Sequence, residues 1–479
     1  MRALLVGITC LLALALAPAA LAGGPEMLIG ATEDSAQQPS LALAKSQMDM
    51  AKLAGFNAVR LSIRWDLGQT VPPADALARL KNAVDAANLD GIHVILSMYP
   101  RGSTQTPLTD GSRLDFATWV VAVLKGVPTV KDVIVGNEPN LNRFWLPQFD
   151  LDGSDAAARA FLPLLAETYD AIKALDPKIV VGGIGLSPRG GDNPDAPRKT
   201  HSPTAFLRDL GTEYRLSGRT LPIMDELGFH PYEDASDVDP LAGTHPTTTT
   251  IALADYGKLV ALLGEAFDGT AQMGSELPIL YDEFGIESQI PAAKTRFYKG
   301  KEPAFTHPVD EATQARFYRT GISLAFCQPT VRGIMLFHVT DENQLGAWQS
   351  GVFYADGKAK KSLPGVRAAV TDAHQADITS CAGLKLTPKA SIKPAKPANG
   401  AISGTVRCNF TCDFRLRLEK VTTGGVTAVQ PGMAEGNTPL TVTIPRHVRP
   451  GRYRFALIAW VHANRGDNIR VVSAPFRLR

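Results

Sequence analysis

Three absences narrow the possible functions of this chain of 479 residues. Beyond the first 22 residues, no apolar run reaches the roughly 20 residues that a transmembrane helix needs. No His-Glu-x-x-His sequence occurs, and the scattered histidines show no other zinc-ligand spacing, so no metal is predicted. The first strand-like segment leads into Gly30-Ala31-Thr32-Glu33-Asp34, which lacks the glycine-rich turn of a dinucleotide-binding sheet. We therefore expect no cofactor.

Cysteine is also scarce, with five residues, and the first of them lies in an apolar amino-terminal segment. Arg2 precedes an apolar run from Ala3 to Ala17, and Pro18 and Ala20-Leu21-Ala22 follow. A charged start, an apolar middle and a small-residue cleavage site are typical of a secretory signal peptide. We predict that residues 1–22 are removed and that the mature protein is secreted or periplasmic, without stable membrane insertion. A membrane anchor is the alternative, and Pro18 argues against it.

The other cysteines are an even set in what is then an oxidising compartment, where disulfides are expected. They are Cys327, Cys381, Cys408 and Cys412. Of the three pairings that four cysteines allow, we favour Cys327–Cys381 and Cys408–Cys412, because each bond then lies within one predicted domain. A metal site at the second pair is the alternative, but it lacks further ligands nearby.

The formal net charge of +2 hides a division along the chain. Residues 385–479 hold 16 Lys and Arg against 4 Asp and Glu, a net charge of +12, which leaves −10 for residues 1–384. A basic module on a secreted protein is consistent with an anionic cell-wall or extracellular polymer as partner. An evenly solvated charged surface is the commoner explanation. No nucleic-acid partner is predicted.

Short apolar segments alternate with helix-like segments eight times, which predicts a (β/α)₈ barrel, with an open doubly wound sheet as the alternative. The predicted strands are Met27–Ala31, Asn57–Ile63, His93–Met98, Asp132–Asn137, Ile179–Gly183, Met224–Phe229, Ile279–Asp282 and Gly333–His338. The predicted helices are Leu41–Ala54, Ala74–Leu89, Leu114–Leu124, Asp155–Leu175, Pro203–Leu216, Thr249–Ala266, Glu311–Phe326 and Ser362–Ala373.

A Pro- and Lys-rich segment at 385–399 predicts an extended linker after the barrel. Beyond it, apolar and polar residues alternate at 414–419 and 453–461, and this period of two predicts antiparallel strands. The segment 400–479 is typical of a small immunoglobulin-like sandwich. The predicted organisation is a signal peptide at 1–22, a barrel at 23–384, the linker, and a β-sandwich at 400–479.

Two predicted strands end in glutamates that suggest chemistry. The fourth runs into Gly136-Asn137-Glu138-Pro139, where proline removes the amide that would continue the strand. The seventh runs into Asp282-Glu283-Phe284-Gly285. Barrel enzymes place catalytic groups at the carboxyl ends of their strands, so the two glutamates are expected to face each other across the mouth. Such a pair cleaves glycosidic bonds, although either glutamate alone is more often an ordinary rim residue.

The second predicted strand supplies a cation to the same place. Arg60, Ser62 and Arg64 share one strand face by the period of two, while Val59, Leu61 and Ile63 point the other way. A cation inside a barrel needs an anion, and Glu283 is the expected partner of Arg60. A rim salt bridge unrelated to catalysis is the alternative.

Together these motifs resemble those of the clan A glycoside hydrolases, retaining (β/α)₈ enzymes that include cellulase-like, xylanase-like and xylosidase-like families. Asn137-Glu138-Pro139 resembles the fourth-strand motif of the clan, and Asp282-Glu283-Phe284-Gly285 resembles its seventh-strand motif. The resemblance implies that Glu138 is the acid/base, that Glu283 is the nucleophile, and that Asn137 holds the 2-hydroxyl of the sugar.

The resemblance extends over residues 27–375 in matching strand order. Phe229-His230-Pro231-Tyr232 is similar to the sixth-strand end, where a Tyr hydrogen-bonds the nucleophile, which makes His230 and Tyr232 supporting residues. The segment around Arg60 is similar to the second strand, whose Arg also supports the nucleophile. Residues 351–361 resemble the segment after the last strand.

One position departs from the clan pattern. Many members carry a Trp at the end of the eighth strand as the floor of the central sugar subsite, whereas Phe337-His338-Val339 stands here. The aromatic residues in or near the strand-to-helix loops are candidate sugar platforms, and about half of them are expected to be ordinary packing residues. The candidate substrate-binding residues are Trp65, Tyr99, Trp145, His338 and Trp348.

The sequence therefore predicts a secreted retaining glycoside hydrolase that cleaves β-glycosidic bonds of a poly- or oligosaccharide, with Glu138 as acid/base and Glu283 as nucleophile. Two alternatives remain. A carbohydrate-binding or wall-associated protein would keep the barrel without the catalysis, and a transglycosylase would use the same residues for a different product.

Overall fold

The computed structural model describes residues 24–375, 377–378, 389–395, 402–408, 412–434, 439–444, 448–461 and 464–478. Its first part is a closed barrel of eight parallel strands in the order β1 to β8, as predicted. The strands are β1 Leu28–Thr32, β2 Ala58–Trp65, β3 His93–Pro100, β4 Asp132–Val135, β5 Val180–Leu186, β6 Glu226–Phe229, β7 Ile279–Phe284 and β8 Val331–Phe337. The helices are α1 Leu41–Leu53, α2 Ala74–Asp90, α3 Asp110–Gly126, α4 Ala156–Leu175, α5 Pro203–Leu216, α6 Tyr256–Phe267, α7 Glu311–Cys327 and α8 Leu363–His374.

Short polar side chains fix where the helices begin. The side chains of Ser40, Thr109, Asp155 and Ser202 each accept a hydrogen bond from the amide three residues later, at the starts of α1, α3, α4 and α5. Such caps satisfy amides that have no partner within the helix. They explain why α3 begins at Asp110, ahead of the predicted Leu114, because Thr109 supplies the cap.

The interior of the barrel is arranged in levels along its axis. At the amino ends of the strands, Arg332 contacts Asp132 at 2.7 Å and Glu226 at 2.5 Å. An apolar level lies above them and contains Ala58, Ile95, Ile134, Leu280 and Met335, all fully buried. The carboxyl ends carry polar groups again. Side chains that alternate along each strand therefore separate two charged regions by a dry layer.

The carboxyl-terminal part is all β, as predicted. One antiparallel sheet has the order β13-β10-β9, with β9 Ala390–Pro394, β10 Ile402–Cys408 and β13 Leu440–Ile444. The other has the order β12-β11-β14-β15, with β16 also paired to β14. Its strands are β11 Cys412–Lys420, β12 Val426–Ala434, β14 Gly451–Val461, β15 Asn464–Val472 and β16 Phe476–Leu478. Buried side chains of both sheets form one apolar core.

The structure places a strand inside the segment predicted as a linker. Ala390–Pro394 form β9, which pairs with β10 in antiparallel register, and Ile392 is buried. The Pro and Lys content suggested an extended chain, which is correct, but the apolar Ile392 gives that chain a sheet to join. The remaining residues of the predicted linker, and the predicted signal peptide at 1–22, lie outside the described residues. The domain boundaries stay predictions.

The disulfide predictions have different outcomes. Cys408 and Cys412 are bonded to each other, as predicted. Cys327, at the end of α7, is also disulfide-bonded, but Cys381 lies outside the described residues, so the pairing between these two remains a prediction. Among the helices that the structure describes, none is long and apolar enough to cross a membrane.

β1 and β2 approach each other so closely at Gly30 that a larger residue does not fit. A Cβ on this residue would lie 2.0 Å from the carbonyl oxygen of Ala58 and 3.0 Å from the sulfur of Met335. We expect Gly30→Ala to lower the free energy of unfolding by about 3 kcal/mol or more, because backbone must move to admit the methyl group. Urea denaturation followed by circular dichroism measures the change.

The control is Gly111→Ala in the first turn of α3, where the nearest atom to the added Cβ is the Thr109 hydroxyl at 4.0 Å. This change is expected to leave stability unaltered or to raise it by up to about 1 kcal/mol. Equal unfolding midpoints for the two variants would contradict the described packing of β1.

Candidate active site

The carboxyl ends of the barrel strands surround a cleft of about 950 Å³. Its walls come from the segments that follow all eight strands, and both glutamates singled out in the sequence line it. Functional groups of a (β/α)₈ barrel collect at this end because the loops there are free to vary while the strands hold their starting points.

Unusual backbone geometry positions Glu138. The chain leaves β4 through Gly136, at φ +114°, where a Cβ would lie 2.8 Å from the carbonyl oxygen of Ile184. Glu138 itself has φ +45°, and its amide donates to the carbonyl of Gly185 at 2.7 Å. Positive φ is unfavourable for a glutamate and persists where surrounding structure enforces it, commonly at functional sites. The sharp turn brings the carboxylate over the barrel mouth.

Arg60 joins four strand ends beneath the cleft. Its guanidinium donates to Glu283 Oε1 at 2.7 Å, to Asn137 Oδ1 at 3.1 Å and to Ser97 Oγ at 3.1 Å. Its Nε lies 3.2 Å from Asp282 Oδ2. The side chain is 1% exposed, so these contacts replace its hydration.

The end of β6 supplies two further groups. The hydroxyl of Tyr232 donates to Glu283 Oε2 at 3.0 Å. His230 Nδ1 lies 3.0 Å from Glu138 Oε1 and 3.6 Å from Glu283 Oε2. Those two carboxylate oxygens are consequently at most 6.6 Å apart, the sum of the two distances to the shared nitrogen. Glu138 and Glu283 thus form a facing pair.

The carboxylates around His230 favour its protonated form. Burial alone would lower its pKa, but the carboxylates of Glu283 and Asp282 outweigh burial and raise the pKa to about 10. Nε2 faces Asp282 Oδ2 at 3.3 Å while Nδ1 faces Glu138. Burial would raise the pKa of Asp282, yet the charges of His230 and Arg60 hold it below its ordinary value.

Asp282 and Ser97 are site residues that the sequence interpretation missed. Asp282 is fully buried and contacts both Arg60 and His230. A signal was present, because an acidic residue directly precedes Glu283 and falls on the inward face together with Leu280. Ser97 gave no comparable signal, since a single serine in an apolar strand is common.

Three of the five predicted substrate-binding residues line the cleft. Tyr99, His338 and Trp348 are in its wall, and the ring of Trp348 lies 4.9 Å from that of Tyr232. His338 donates from Nδ1 to the Thr32 carbonyl at 3.0 Å. Burial would lower its pKa, but Glu342 and Glu33 raise it to about 9.

The prediction was wrong for Trp65 and Trp145. Trp65 is fully buried, donates from Nε1 to the carbonyl of Gln69 at 2.7 Å and packs edge-on against Phe116. Trp145 is also buried and packs against Phe161. Each indole packs in the apolar core between strands and helices and does not line the cleft. Loop position alone did not reveal this, because the strand-to-helix segments here fold inward.

Across the described part of the chain, no three His, Cys, Asp or Glu side chains converge as ligands for a metal ion. At the floor of the cleft, Arg60 and His230 contact the carboxylates of Asp282 and Glu283 directly. The two facing carboxylates, Glu138 and Glu283, are the kind of pair that cleaves glycosidic bonds.

Residues 26–207 match the family model described as cellulase, glycosyl hydrolase family 5. The matched segment includes Arg60, Asn137 and Glu138 in the strand positions that the structure shows. This part of the chain is therefore similar to the family 5 glycosyl hydrolases. The match ends before His230 and Glu283, which complete the site from β6 and β7. No curated protein matches the sequence.

Solved structures resemble this chain at low identity. β-Glucuronidase 2 of Bacteroides uniformis is 14% identical with a TM-score of 0.45, covering 95% of this chain and 46% of its own, so the chain spans less than half of that protein. A GH5_18 protein of Streptomyces cattleya gives 16% identity and a TM-score of 0.49, covering 73% of this chain and 80% of its own. A glucosidase of Croceicoccus marinus gives 13% identity and a TM-score of 0.49, covering 88% of this chain and 94% of its own. At such values the likeness carries no information about substrate.

Two carboxyl groups in the wall of the cleft are uncharged at neutral pH. Glu233 is 5% exposed, and burial with the nearby carboxylate of Asp255 raises its pKa to about 9. Glu287 is 2% exposed, and burial with Glu302 raises its pKa to about 8. Buried carboxyls without a close cation keep their protons because ionisation would place an unpaired charge in the protein.

This protonation predicts how stability depends on pH. Between about pH 5 and about pH 9, Glu233 is ionised in the unfolded chain and protonated in the folded one, so folding takes up a proton. Stability falls by up to about 1.4 kcal/mol per pH unit for one such group. We expect Glu233→Gln, which is always neutral, to make the decline of unfolding free energy between pH 6 and 8.5 less steep by about that amount.

Urea denaturation at a series of pH values measures the slope. Glu265→Gln on the exposed surface of α6 is the control, because its carboxylate is 55% exposed and pairs with Arg208. An unchanged slope in Glu233→Gln would contradict the assignment of a neutral Glu233.

Proposed function

We propose that the protein is a secreted, retaining β-glycoside hydrolase of a poly- or oligosaccharide, with Glu283 as nucleophile and Glu138 as acid/base. The predicted signal peptide supports secretion. The observation that carries the mechanism is the short separation of the two carboxylates. Glu138 Oε1 and Glu283 Oε2 are at most 6.6 Å apart, because both lie close to His230 Nδ1. Retaining enzymes hold the two groups about 5–5.5 Å apart, whereas inverting enzymes need about 6.5–9.5 Å to admit a water.

In the first step, Glu283 attacks the anomeric carbon and Glu138 donates its proton to the glycosidic oxygen, so the bond to the leaving sugar breaks as the bond to Glu283 forms. In the second step, Glu138 takes a proton from water, the water oxygen attacks the anomeric carbon, and the carboxylate of Glu283 leaves. Two inversions restore the original configuration.

The groups around Glu283 suit a nucleophile. Arg60 and Tyr232 donate one hydrogen bond to each of its carboxylate oxygens, which holds the group in one orientation. Burial together with the charges of Glu283 and Glu138 raises the pKa of Tyr232 well above its ordinary value, so its hydroxyl remains a donor. Asn137, held by Arg60, is positioned for the 2-hydroxyl of the sugar. Tyr99, His338 and Trp348 provide the surface on which the sugar rests.

The two carboxylates are predicted to fail differently when replaced. Glu283→Ala is expected to lose turnover by a factor of 10⁴ or more, and azide is expected to restore it with an α-linked glycosyl azide as product. Glu138→Ala is expected to keep activity on aryl glycosides with good leaving groups, because these need little protonation, and azide is then expected to give a β-linked product. Product configuration is read by nuclear magnetic resonance.

Glu265→Gln serves as a charge-removing control on the barrel surface. Full activity in both Glu138→Ala and Glu283→Ala, or inverted configuration of the sugar released by the unaltered protein, would contradict the proposed roles. Analysis of products in the presence of excess acceptor sugar separates hydrolysis from transglycosylation.

We also propose that the basic carboxyl-terminal domain binds an anionic polymer. On β11, Arg415 and Arg417 point to the same face, and the guanidinium of Arg415 lies 5.9 Å from the ring of Trp460 on β14. Arg454 on β14 and Arg470 on β15 extend the set of cations to three strands, and both pair with Glu419 of β11. A flat face with arginines and an indole suits a charged sugar chain.

The binding prediction is tested by retention of the whole protein on an immobilised anionic polysaccharide. We expect the double change Arg415→Ala with Arg417→Ala to elute at a clearly lower salt concentration than the unaltered protein, because two phosphate-like or carboxylate contacts are lost. Arg208→Ala with Arg319→Ala, on exposed faces of α5 and α7, removes the same charge and is expected to elute as the unaltered protein does. Equal elution of both double variants would contradict the proposal.

A further inference from the structure

Charge is divided unevenly around the mouth of the cleft. Apart from Arg60 and the facing glutamates, five arginines line it, one on β2 and four on segments that follow β3 to β5. Five carboxyl groups also line it, all on segments that follow β6 to β8 and β1. The arginines are Arg64, Arg101, Arg143, Arg189 and Arg198, and the carboxyl groups are Asp34, Glu233, Asp234, Glu287 and Glu342. Because strand order follows the chain, each set occupies one continuous half of the rim.

The arginines differ in how they are neutralised. Arg101 makes a two-pronged contact with Asp66 at 2.7 and 3.0 Å. Arg64 and Arg189 have only distant carboxylates, at 3.8 and 3.4 Å. Arg143 and Arg198 have no carboxylate within 4 Å among the residues that the structure describes, although contact with His338 and, more weakly, the charge of Arg143 lower the pKa of Glu342. Both guanidinium groups therefore line the cleft without a direct ion pair.

These two arginines lie on loops that are held side by side. Leu141 forms an isolated antiparallel bridge with Thr200, and the amide of His201 donates to the carbonyl of Asn140 at 2.8 Å. Arg143 follows this junction by two residues and Arg198 precedes it by two. The amide of Leu141 in turn donates to the carbonyl of Glu138 at 2.9 Å. The pair of arginines is thus tied to the backbone of the proposed proton donor.

The opposite half of the rim does not cancel this positive charge. Glu233 and Glu287 are protonated at neutral pH. Asp34 lies 3.8 Å from Arg64, and Asp234 lies 3.4 Å from Arg189 and 3.1 Å from His245. Glu342 faces His338 at 3.7 Å and accepts the amide of Trp348. The field across the mouth is therefore positive on the side of β4 and β5.

We infer that the leaving part of the substrate carries a negative group, a uronic acid carboxylate or a sulfate ester, which Arg143 and Arg198 bind. The inference rests on the proposed function, in which Glu138 protonates the oxygen of the leaving group and therefore lies beside it. Arg143 lies on the same segment after β4 as Glu138, so it is close to the leaving group as well. Guanidinium groups suit this task because their planar N–H pairs match the oxygens of carboxylates and sulfates. Leu141 and Phe144, in the same wall, offer apolar surface to the sugar ring.

Matched pairs of glycans test the inference in the complete secreted protein. One pair is a β-linked polysaccharide that contains uronic acid and the same polymer after its carboxylates are reduced to alcohols, and the other is a sulfated polysaccharide and its desulfated form. Release of reducing ends gives kcat/KM for each. We expect one charged form to exceed its neutral form about tenfold or more, the scale of one hydrogen bond to a charged group, and the advantage to shrink as salt is raised.

Variants then assign the advantage to the two arginines. Arg143→Ala with Arg198→Ala is expected to bring the ratio of charged to neutral kcat/KM close to one, while Arg143→Lys with Arg198→Lys, which keeps the charge, is expected to retain part of it. Arg208→Ala is the control for loss of one surface charge. The matched pair of glycans in which the charged form is cleaved faster shows whether the bound group is a carboxylate or a sulfate.

Several outcomes would overturn the inference. Equal kcat/KM for charged and neutral forms, or an unchanged ratio in the double alanine variant, would do so while leaving the proposed hydrolase standing. Cleavage of aryl glycosides without cleavage of any charged glycan would have the same meaning. Failure to cleave both the aryl glycosides and every glycan would overturn the proposed function, and the inference with it.

Discussion

The buried guanidinium of Arg60 is the interaction on which the rest of the site depends. Its guanidinium contacts groups of β3 and β7 and Asn137 at the end of β4. Burial would raise the pKa of Asp282, but His230 and Arg60 together hold it below its ordinary value. A buried ion pair of this kind adds little net stability, but loss of one partner leaves uncompensated charge in the interior. The network therefore specifies one geometry more than it strengthens the fold.

The apolar level of the barrel lies beneath this network and isolates it from the charges at the other end of the strands. Ile95, Ile134, Leu280 and their neighbours separate the charges at the carboxyl ends from the Arg332 cluster at the amino ends. The carboxylates therefore lie above fully buried apolar side chains, and Arg60, Tyr232 and His230 contact them directly. Electrostatic effects are strongest in such surroundings, where no solvent rearrangement dilutes them.

Much of this architecture could be predicted from the sequence because it depends on period and order. Alternating apolar segments gave the eight strands, and Glu138 and Glu283 stood at their ends next to proline and glycine. What the sequence could not reveal was direction within loops. Trp65 and Trp145 occupy the expected segments but turn into the core, whereas Trp348 turns toward the cleft, and only the packing of the helices decides between these orientations.

The predicted linker shows the same limit from the other side. Pro and Lys content correctly indicated an extended chain. Composition cannot show whether another strand is available for pairing, and β10 is the strand with which Ala390–Pro394 pair. Long-range pairing of this kind is a property of the assembled sheet.

The hydrogen bond from the amide of Glu138 to the carbonyl of Gly185 has a consequence for how this barrel can change over time. Glu138 is held by the main chain of the adjacent strand, through a kink at Ile184 and Gly185, and this hydrogen bond involves no loop side chain. Side chains on the loops beyond β4 and β5 can therefore change without removing this hydrogen bond. One wall of the mouth can vary in sequence while the backbone that carries Glu138 stays in register.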